Sequence, residues 1–329
     1  MEKLIAQFPK HVSDAINIAR SISIKEGIAN KKFQQVVICG MGGSGIGGKL
    51  IQQWFAREAK IPVVLAQDYT IPAFVNNDTL VIVSSYSGNT EETISALNAA
   101  IKCGAIIIGV TSGGELMKIC QAKNYPLVEI PGGNPPRSML AFSTIQLVGI
   151  LAKLGIIHAD ALDKIDPVKQ LLTQELVKLK DEAKEIATLI FNKQVVIYAS
   201  SEHEATALRF RQQLNENSKQ LALHNILPEM NHNELVGWAA GTEDHAVLFI
   251  GSELMDSRNK KRMQLTEEII RKKTPHVKWV NPKGNTLLLE TFYLIHLLDW
   301  TSLYMAQMNQ ADPVEVKVID YLKEALSKA

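Results

Sequence analysis

Several features that would each indicate a class of protein are scarce in this chain. No run of 18 apolar residues escapes a polar interruption, and charges and a proline fall within the first ten positions (MEKLIAQFPK). Neither a membrane-spanning helix nor a secretory leader is expected. There are three cysteines, Cys39, Cys103 and Cys120, with no CxxC spacing, which excludes a disulfide framework, suits a reducing compartment and points to buried packing. Net charge is scarce as well: 35 basic against 34 acidic residues leave a formal +1. A chain so balanced has no broad attraction for nucleic acid or acidic membranes, so any anion site must be local. Metal-ligand spacing is also missing. Glu243-Asp244-His245 is the nearest approach, but adjacent residues entering a strand point in alternating directions and do not converge on one ion. The expectation is a soluble, cytoplasmic protein that uses no metal, no membrane and no nucleic acid.

What the chain does have is alternation. Short β-branched runs separated by helical periodicity read as parallel strands joined by crossover helices. The strand candidates are 34–40, 62–68, 79–86, 105–111 and 126–131 in the first half and 194–201, 221–228, 245–252 and 276–281 in the second. Helices are expected at GGKLIQQWFAREA, at TEETISALNAAIKCG with Thr90 as its cap, at SMLAFSTIQLVGILAKLGII, over a polar connector at 167–191 and over 286–308. QVVI occurs at both 35–38 and 194–197, and Phe142 and Phe292 open similarly patterned helices, which suggests duplication of one α/β unit. The fold class is α/β, two tandem doubly wound parallel-sheet domains of flavodoxin-like type, 1–158 and 159–329, with a C-terminal helix. That last helix is read as capped by Asp312 with Pro313 in its first turn, docking its stripe Val316, Ile319, Leu322 and Leu326 on the body.

The first strand runs straight into MGGSGIGG. Such a turn brings backbone N–H groups and a helix N-terminus against a phosphate. It also contains Gly43-x-Gly45-x-x-Gly48, with Asp68 ending the next strand, which fits a dinucleotide-binding dehydrogenase. The third strand ends in Ser84-Ser85-Tyr86-Ser87-Gly88-Asn89-Thr90, and this density of hydroxyls favours an uncharged cradle for a phosphate monoester. A plain cap plus a serine-rich loop would account for Thr90 and Ser87 but not for the whole run.

GMGGSGIGG followed by SSYSGNTEET resembles the SIS (sugar isomerase) domain. NPPRSMLAFS, LNENSK, LPEMNHNELVGW and the DPV-to-LK tail extend the likeness over most of the chain. The combination resembles the bifunctional phosphoglucose/phosphomannose isomerases, a compact branch of the phosphoglucose isomerase superfamily. That resemblance implies a cofactor-free enzyme acting on a sugar phosphate, glucose 6-phosphate and also mannose 6-phosphate, to give fructose 6-phosphate through a cis-enediolate. Gly43, Ser44, Ser85, Ser87 and Thr90 would hold the phosphate. The matching turn of the second half, SSEHEAT, lacks the glycines, so one phosphate site per chain is expected.

The chemistry calls for a base, an acid at the ring oxygen and a cation near the developing oxyanion. Glu216 in LNENSK matches the family's base, although on sequence alone it is also an ordinary helix glutamate; Asn215, Asn217 and Ser218 beside it suit a polar pocket. His232, one histidine among eight, matches the ring-opening acid and by the resemblance comes from the neighbouring subunit of a homodimer. Arg137, after two prolines, matches the arginine that steadies the enediolate. Lys323 matches the C-terminal lysine that assists ring opening, with Lys317 as competitor. Bifunctional members carry a threonine near the C-terminus, where the DPV segment offers Val314. Two other readings stay beside the isomerase: a non-catalytic SIS module that senses a sugar phosphate, and an NAD-dependent dehydrogenase.

Overall fold

The computed structural model describes residues 1–326 and 328. All nine strand segments form: Gln35–Cys39 (β1), Val63–Ala66 (β2), Thr79–Ser84 (β3), Ile106–Thr111 (β4), Leu127–Glu129 (β5), Gln194–Ser200 (β6), Ala222–Leu227 (β7), His245–Ile250 (β8) and Val277–Val280 (β9). The helices are Glu2–Ala6 (α1), Phe8–Ser21 (α2), Glu26–Ala29 (α3), Gly42–Trp54 (α4), Glu91–Lys102 (α5), Gly114–Ala122 (α6), Leu140–Lys153 (α7), Val168–Ile190 (α8), Glu204–Ser218 (α9), Glu234–Gly237 (α10), Ser257–Ile270 (α11), Leu287–Met308 (α12) and Lys317–Leu326 (α13). Every strand pairing is parallel, in the orders β2-β1-β3-β4-β5 and β7-β6-β8-β9. Both sheets are therefore doubly wound, and each reverses direction once, between β1 and β3 and between β6 and β8. In such a sheet the crevice at the reversal, outside the C-terminal strand ends, is where ligands bind.

The chain forms two compact units, Gln7–Thr173 and Met1–Ala6 with Gln174–Ala329. The line between them falls inside α8, and the leading helix α1 groups with the second unit, whereas the sequence reading drew its line at 158/159.

In the first unit β3 is buried along its length, and Val37, Val81, Val83 and Ile107 pack with Ala96, Leu97 and Ala100 of α5 and Leu116 of α6. Cys39 and Cys120 lie in this core, where burial pushes their thiols up to about 12 and about 11. Cys103 is exposed at the end of α5, contrary to the expected packing role.

The glycine-rich turn differs from expectation. GGSGIGG is the first two turns of α4, which begins at Gly42. Glycine disfavours helix interiors by about 1 kcal/mol relative to alanine, so packing must favour it here. A Cβ on Gly45 would stand 2.7 Å from the Gly40 carbonyl oxygen, and one on Gly48 would stand 2.9 Å and 3.0 Å from Leu65 and Ile38 methyls. Bare glycines let the helix lie directly on β1 and β2.

In the second unit α9 lies against α12. Helix α12 is apolar nearly all round and buried, as expected of a central helix. It also carries Asp299, which receives the buried Arg209 guanidinium of α9 at both carboxylate oxygens, one bond being 3.1 Å, and the Gln213 amide at 2.8 Å. One turn on, Asn217 donates to the Ser302 hydroxyl at 2.9 Å and Ser218 to the Ser302 carbonyl at 2.7 Å.

The C-terminal helix departs from its reading. Asp312 accepts the Val314 amide at 2.8 Å, closing a turn, and α13 starts later, at Lys317. Its apolar stripe meets the body only at its start: Val316 and Ile319 line a groove against the end of α9, whereas Leu322 and Leu326 are 56% and 50% exposed.

The Arg209–Asp299 pair sets a stability test. Removing one partner of a buried pair costs about 3–5 kcal/mol, while replacing both by well-packed apolar residues is near neutral. Asp299→Ala is therefore expected to lower thermal stability strongly, and Arg209→Met/Asp299→Leu to recover most of the loss. A melting temperature unchanged in the single variant would show that the pair does not pin α9 to α12.

Candidate active site

At the reversal in the first sheet, two helices begin side by side, α4 after β1 and α5 after β3. The cap residues, Met41 and Thr90, make no side-chain bonds to the first-turn amides, so those N–H groups and the positive helix ends are available to an anion. Thr90 is the cap residue of α5, as read from the sequence, but its hydroxyl lies 3.0 Å from the Ser85 hydroxyl and is engaged there. Ser85 Oγ also accepts the Gly88 amide at 3.1 Å, and Ser87 Oγ accepts the Asn89 amide at 3.2 Å. The buried Ser44 hydroxyl accepts the Tyr86 amide at 3.2 Å, tying the α4 turn to the α5 turn.

This second turn is braced from the next strand. Gly88 is left-handed (φ +70°), and a Cβ there would come within 1.8 Å of the Gly113 carbonyl oxygen, so no other residue fits. The Leu116 amide donates to the Gly88 carbonyl at 2.9 Å and the Glu115 amide to Asn89 Oδ1 at 2.9 Å.

Arg137 comes to the same place. It lies in a 3-10 turn, Pro136–Ser138, and is 7% exposed. A Cβ on Gly43 would be 3.4 Å from the Pro136 carbonyl oxygen and 3.7 Å from the Arg137 amide nitrogen, so that turn lies on the start of α4. The Asn134 amide donates to the Tyr86 hydroxyl at 3.2 Å, fastening the arginine loop to the serine turn. The structure thus brings together Gly43, Ser44, Ser85, Ser87, Thr90 and Arg137. Tyr86, read from sequence only as one hydroxyl in a run, is the cross-tie.

In the second unit the predicted residues separate. Glu216, in the last turn of α9, lines a groove of about 390 Å³ with Asn215, Lys219, Leu221, Glu315 and Val316. His232 ends a 3-10 turn, Glu229–His232, beyond the far end of β7, and is exposed. That turn is anchored by the buried Met230 and by Asn231 donating to Thr266 at 2.8 Å. The following Glu234 accepts Tyr198 Oη–H at 2.5 Å and the Asn225 amide at 2.6 Å. Five rises of about 3.3 Å across its six residues give β7 a length of roughly 17 Å, and Glu216 and His232 lie on either side of it. Lys317 lies between the groove-lining Val316 and Val318, and Lys323, exposed, is about 9 Å further along α13. The sequence reading takes Lys323, with Lys317 as its competitor; Lys219, which lines the groove, is not among its candidates.

At the reversal of the second sheet a different cluster stands. Ser252 Oγ donates to Glu290 Oε2 at 2.7 Å, and His203 Nε2 lies 3.2 Å from the same oxygen, all three residues being buried. Glu290 and its two partners fill the place that the hydroxyl turn leaves open in the first unit. Among the described residues no three His, Cys, Asp or Glu side chains group as metal ligands, and no helix is long and apolar enough to cross a membrane.

Residues 27–120 match the SIS domain, and residues 179–326 match the bacterial phospho-glucose isomerase C-terminal SIS domain. The bifunctional phosphoglucose/phosphomannose isomerase of Caldicellulosiruptor bescii is 35% identical over 100% of this chain and 99% of its own length. The protein of the same name from Aquifex aeolicus is 37% identical over 90% of this chain and 91% of its own. In fold the chain is similar to the C-terminal domain of glucosamine-fructose-6-phosphate aminotransferase from Francisella tularensis, with a TM-score of 0.79 at 14% identity, covering 96% of this chain and 98% of that one. With two SIS-type sheets, a hydroxyl-lined anion cradle at the first reversal and relatives alike along their whole length, the chain belongs to the bifunctional phosphoglucose/phosphomannose isomerase family.

Proposed function

We propose that this protein interconverts glucose 6-phosphate and mannose 6-phosphate with fructose 6-phosphate through a cis-enediolate, in a homodimer. The observation that carries the reading is the cradle at the β1/β3 reversal, where two uncapped helix starts, four hydroxyl side chains and Arg137 converge. Neutral donors and helix ends suit a terminal phosphate dianion, and the strand order is not the 3-2-1-4-5-6 arrangement that cradles a dinucleotide.

The reaction needs two kinds of proton transfer and no cofactor. An acid protonates the ring oxygen as the C1–O bond of the pyranose breaks and the C1 hydroxyl gives up its proton, leaving the aldehyde. A carboxylate then takes the C2 proton and returns it to C1, a hydroxyl proton passes from O2 to O1, and a cation steadies the negative oxygen of the enediolate. We assign the acid to His232, the carboxylate to Glu216, the cation to Arg137 and assistance in ring opening to Lys323. C2 and the ring oxygen are two bonds apart in the sugar, whereas β7, which stands between Glu216 and His232, is roughly 17 Å long. The placement of the two residues on either side of β7 favours a site completed by two chains. The exposed His232 of a second copy would meet the Glu216 of the first, which is the basis for the dimer.

The direct test is a coupled assay of fructose 6-phosphate formation from glucose 6-phosphate and mannose 6-phosphate side by side. Turnover of both is expected. Tight binding of either sugar phosphate without turnover would instead favour a sensing module, and saturable binding of NAD a dehydrogenase.

In the same assay Ser87→Ala and Thr90→Ala should chiefly raise KM, each lost charge-assisted bond costing about 1.5–3 kcal/mol. Unchanged affinity for a 6-phosphorylated inhibitor in both variants would remove the phosphate from this cradle.

Glu216→Gln should abolish exchange of the C2 proton with solvent, a loss of roughly two to four orders of magnitude. His232→Ala should act on ring opening and be relieved by open-chain substrate. Co-expressed with different tags, the two inactive variants should yield mixed dimers with one intact site. Activity no higher than that of either parent would exclude a site completed across the dimer.

A further inference from the structure

Helix α9 ends on Lys219, whose backbone is left-handed (φ +54°, ψ 34°). Glycine is the residue that enters this conformation freely at a helix end, and a lysine there is under local strain. Its amide and that of Gln220 both donate to the Leu214 carbonyl, so the turn is a completed cap. The side chain is engaged as well. Nζ donates to the carbonyl oxygens of Glu216, Asp312 and Glu315, each at 2.7 Å. An ammonium has three N–H donors, and all three are used. Its acceptors are three backbone carbonyls, one of them in the last turn of α9, where the negative end of the helix dipole favours a cation.

Those carbonyls belong to two stretches of chain. Glu216 is in the last turn of α9, and Asp312 and Glu315 bracket the turn that leads into α13. The groove lined by Glu216 is formed by these same stretches, with Asn215, Lys219 and Leu221 on one side and Glu315, Val316, Val318 and Ile319 on the other. The ammonium thus ties the segment leading into α13 to the end of α9.

Resting on the reading of Glu216 as the base, we propose that Lys219 is a positioning residue, whose ammonium clamps the Asp312–Glu315 turn to the end of α9 and so fixes the Glu216 carboxyl and the wall it faces. With every donor on a backbone carbonyl, Lys219 has none left for the substrate, which distinguishes it from a catalytic lysine. The strained backbone is explained by the same role: the left-handed turn directs the side chain back across the end of its own helix.

Lys219→Met and Lys219→Gly remove the ammonium, and the glycine variant also relieves the backbone. Both should lower kcat for glucose 6-phosphate roughly 10- to 100-fold, the cost of a small misplacement of a reacting group. KM should stay within about twofold, because the phosphate site lies in the first unit. Lys219→Arg, which keeps a cation and donors at the helix end, should recover part of the loss. Melting temperature separates folding from function: Lys219→Gly should melt no lower than Lys219→Met and still be slow. The decisive measurement is the double variant. In a Glu216→Gln background Lys219→Met should reduce residual turnover no further, because it acts through the missing carboxylate. Wild-type kcat in both Lys219→Met and Lys219→Gly, beside an inactive Glu216→Gln, would overturn the clamp and leave the base in place. A full additional loss in the double variant would also overturn it. If Glu216→Gln itself exchanges the C2 proton at the wild-type rate, the base lies elsewhere and the clamp falls with it.

Discussion

The anion cradle depends on how closely helix α4 can lie against β1 and β2. With a Cβ at Gly45 or Gly48 the helix would have to move away from the Gly40 carbonyl and from the methyls of Ile38 and Leu65. Its first turn would move with it, and the Ser44 hydroxyl would lose the Tyr86 amide. That hydrogen bond ties together the two helix starts that the β1–β3 pairing sets side by side. Tyr86 in turn holds the Asn134 amide through its hydroxyl, and so the loop that carries Arg137. A chain with formal charge +1 has no general attraction for phosphate. Its attraction must come from two aligned helix ends and fixed neutral donors, which work only when their spacing is kept.

The two sheets show what happens when one architecture is used twice. Both contain the order 2-1-3-4, extended by a fifth strand in the first, and both place a strand-to-helix turn at the reversal. In the first unit that turn is lined by hydroxyls and left open at the helix starts. In the second, Glu290 from α12 fills the corresponding position and is satisfied by Ser252 and His203. A phosphate would face a carboxylate with its partners already bound. The second unit therefore keeps the fold while its reversal is occupied from within, and its polar residues of interest lie elsewhere, at the two ends of β7.

Much of this was legible in the residues. All nine strands were, because β-branched runs between turn signals leave little else for buried parallel strands to be. The cradle could be read too, since glycines and hydroxyls after two strands in a doubly wound pattern imply two helix ends at one crevice. The start of α4 could not be, because the reading treats glycine as a helix breaker and the contacts that favour it at Gly45 and Gly48 are tertiary. Thr90 was read as a capping side chain, yet its hydroxyl is turned to Ser85, a choice that depends on the neighbouring turn. The docking of α13 was inferred from spacing alone, and spacing says that a stripe exists without saying what covers it. Lys219 was invisible for a related reason: nothing in NENSKQ announces a left-handed lysine, and its three carbonyl acceptors come partly from a segment more than ninety residues away.

Strand β7 connects these observations. A strand carries the chain from one end of the sheet to the other, so residues just before it and just after it are held apart by its length. Glu216 precedes β7 and His232 follows it. If the two act as acid and base on one hexose, they must approach atoms two bonds apart, and the roughly 17 Å length of β7 stands between their positions. A chain built this way has two routes to a working pair: another residue in place of one of them, or a second chain arranged so that each His232 meets the other Glu216. The second route suits the way the His232 turn is anchored from beneath, through Met230, Asn231 and Glu234, while His232 itself is exposed. An acid donated to a neighbour must be firmly mounted on its own unit, because the geometry of the shared site then depends on one interface rather than on a flexible loop as well.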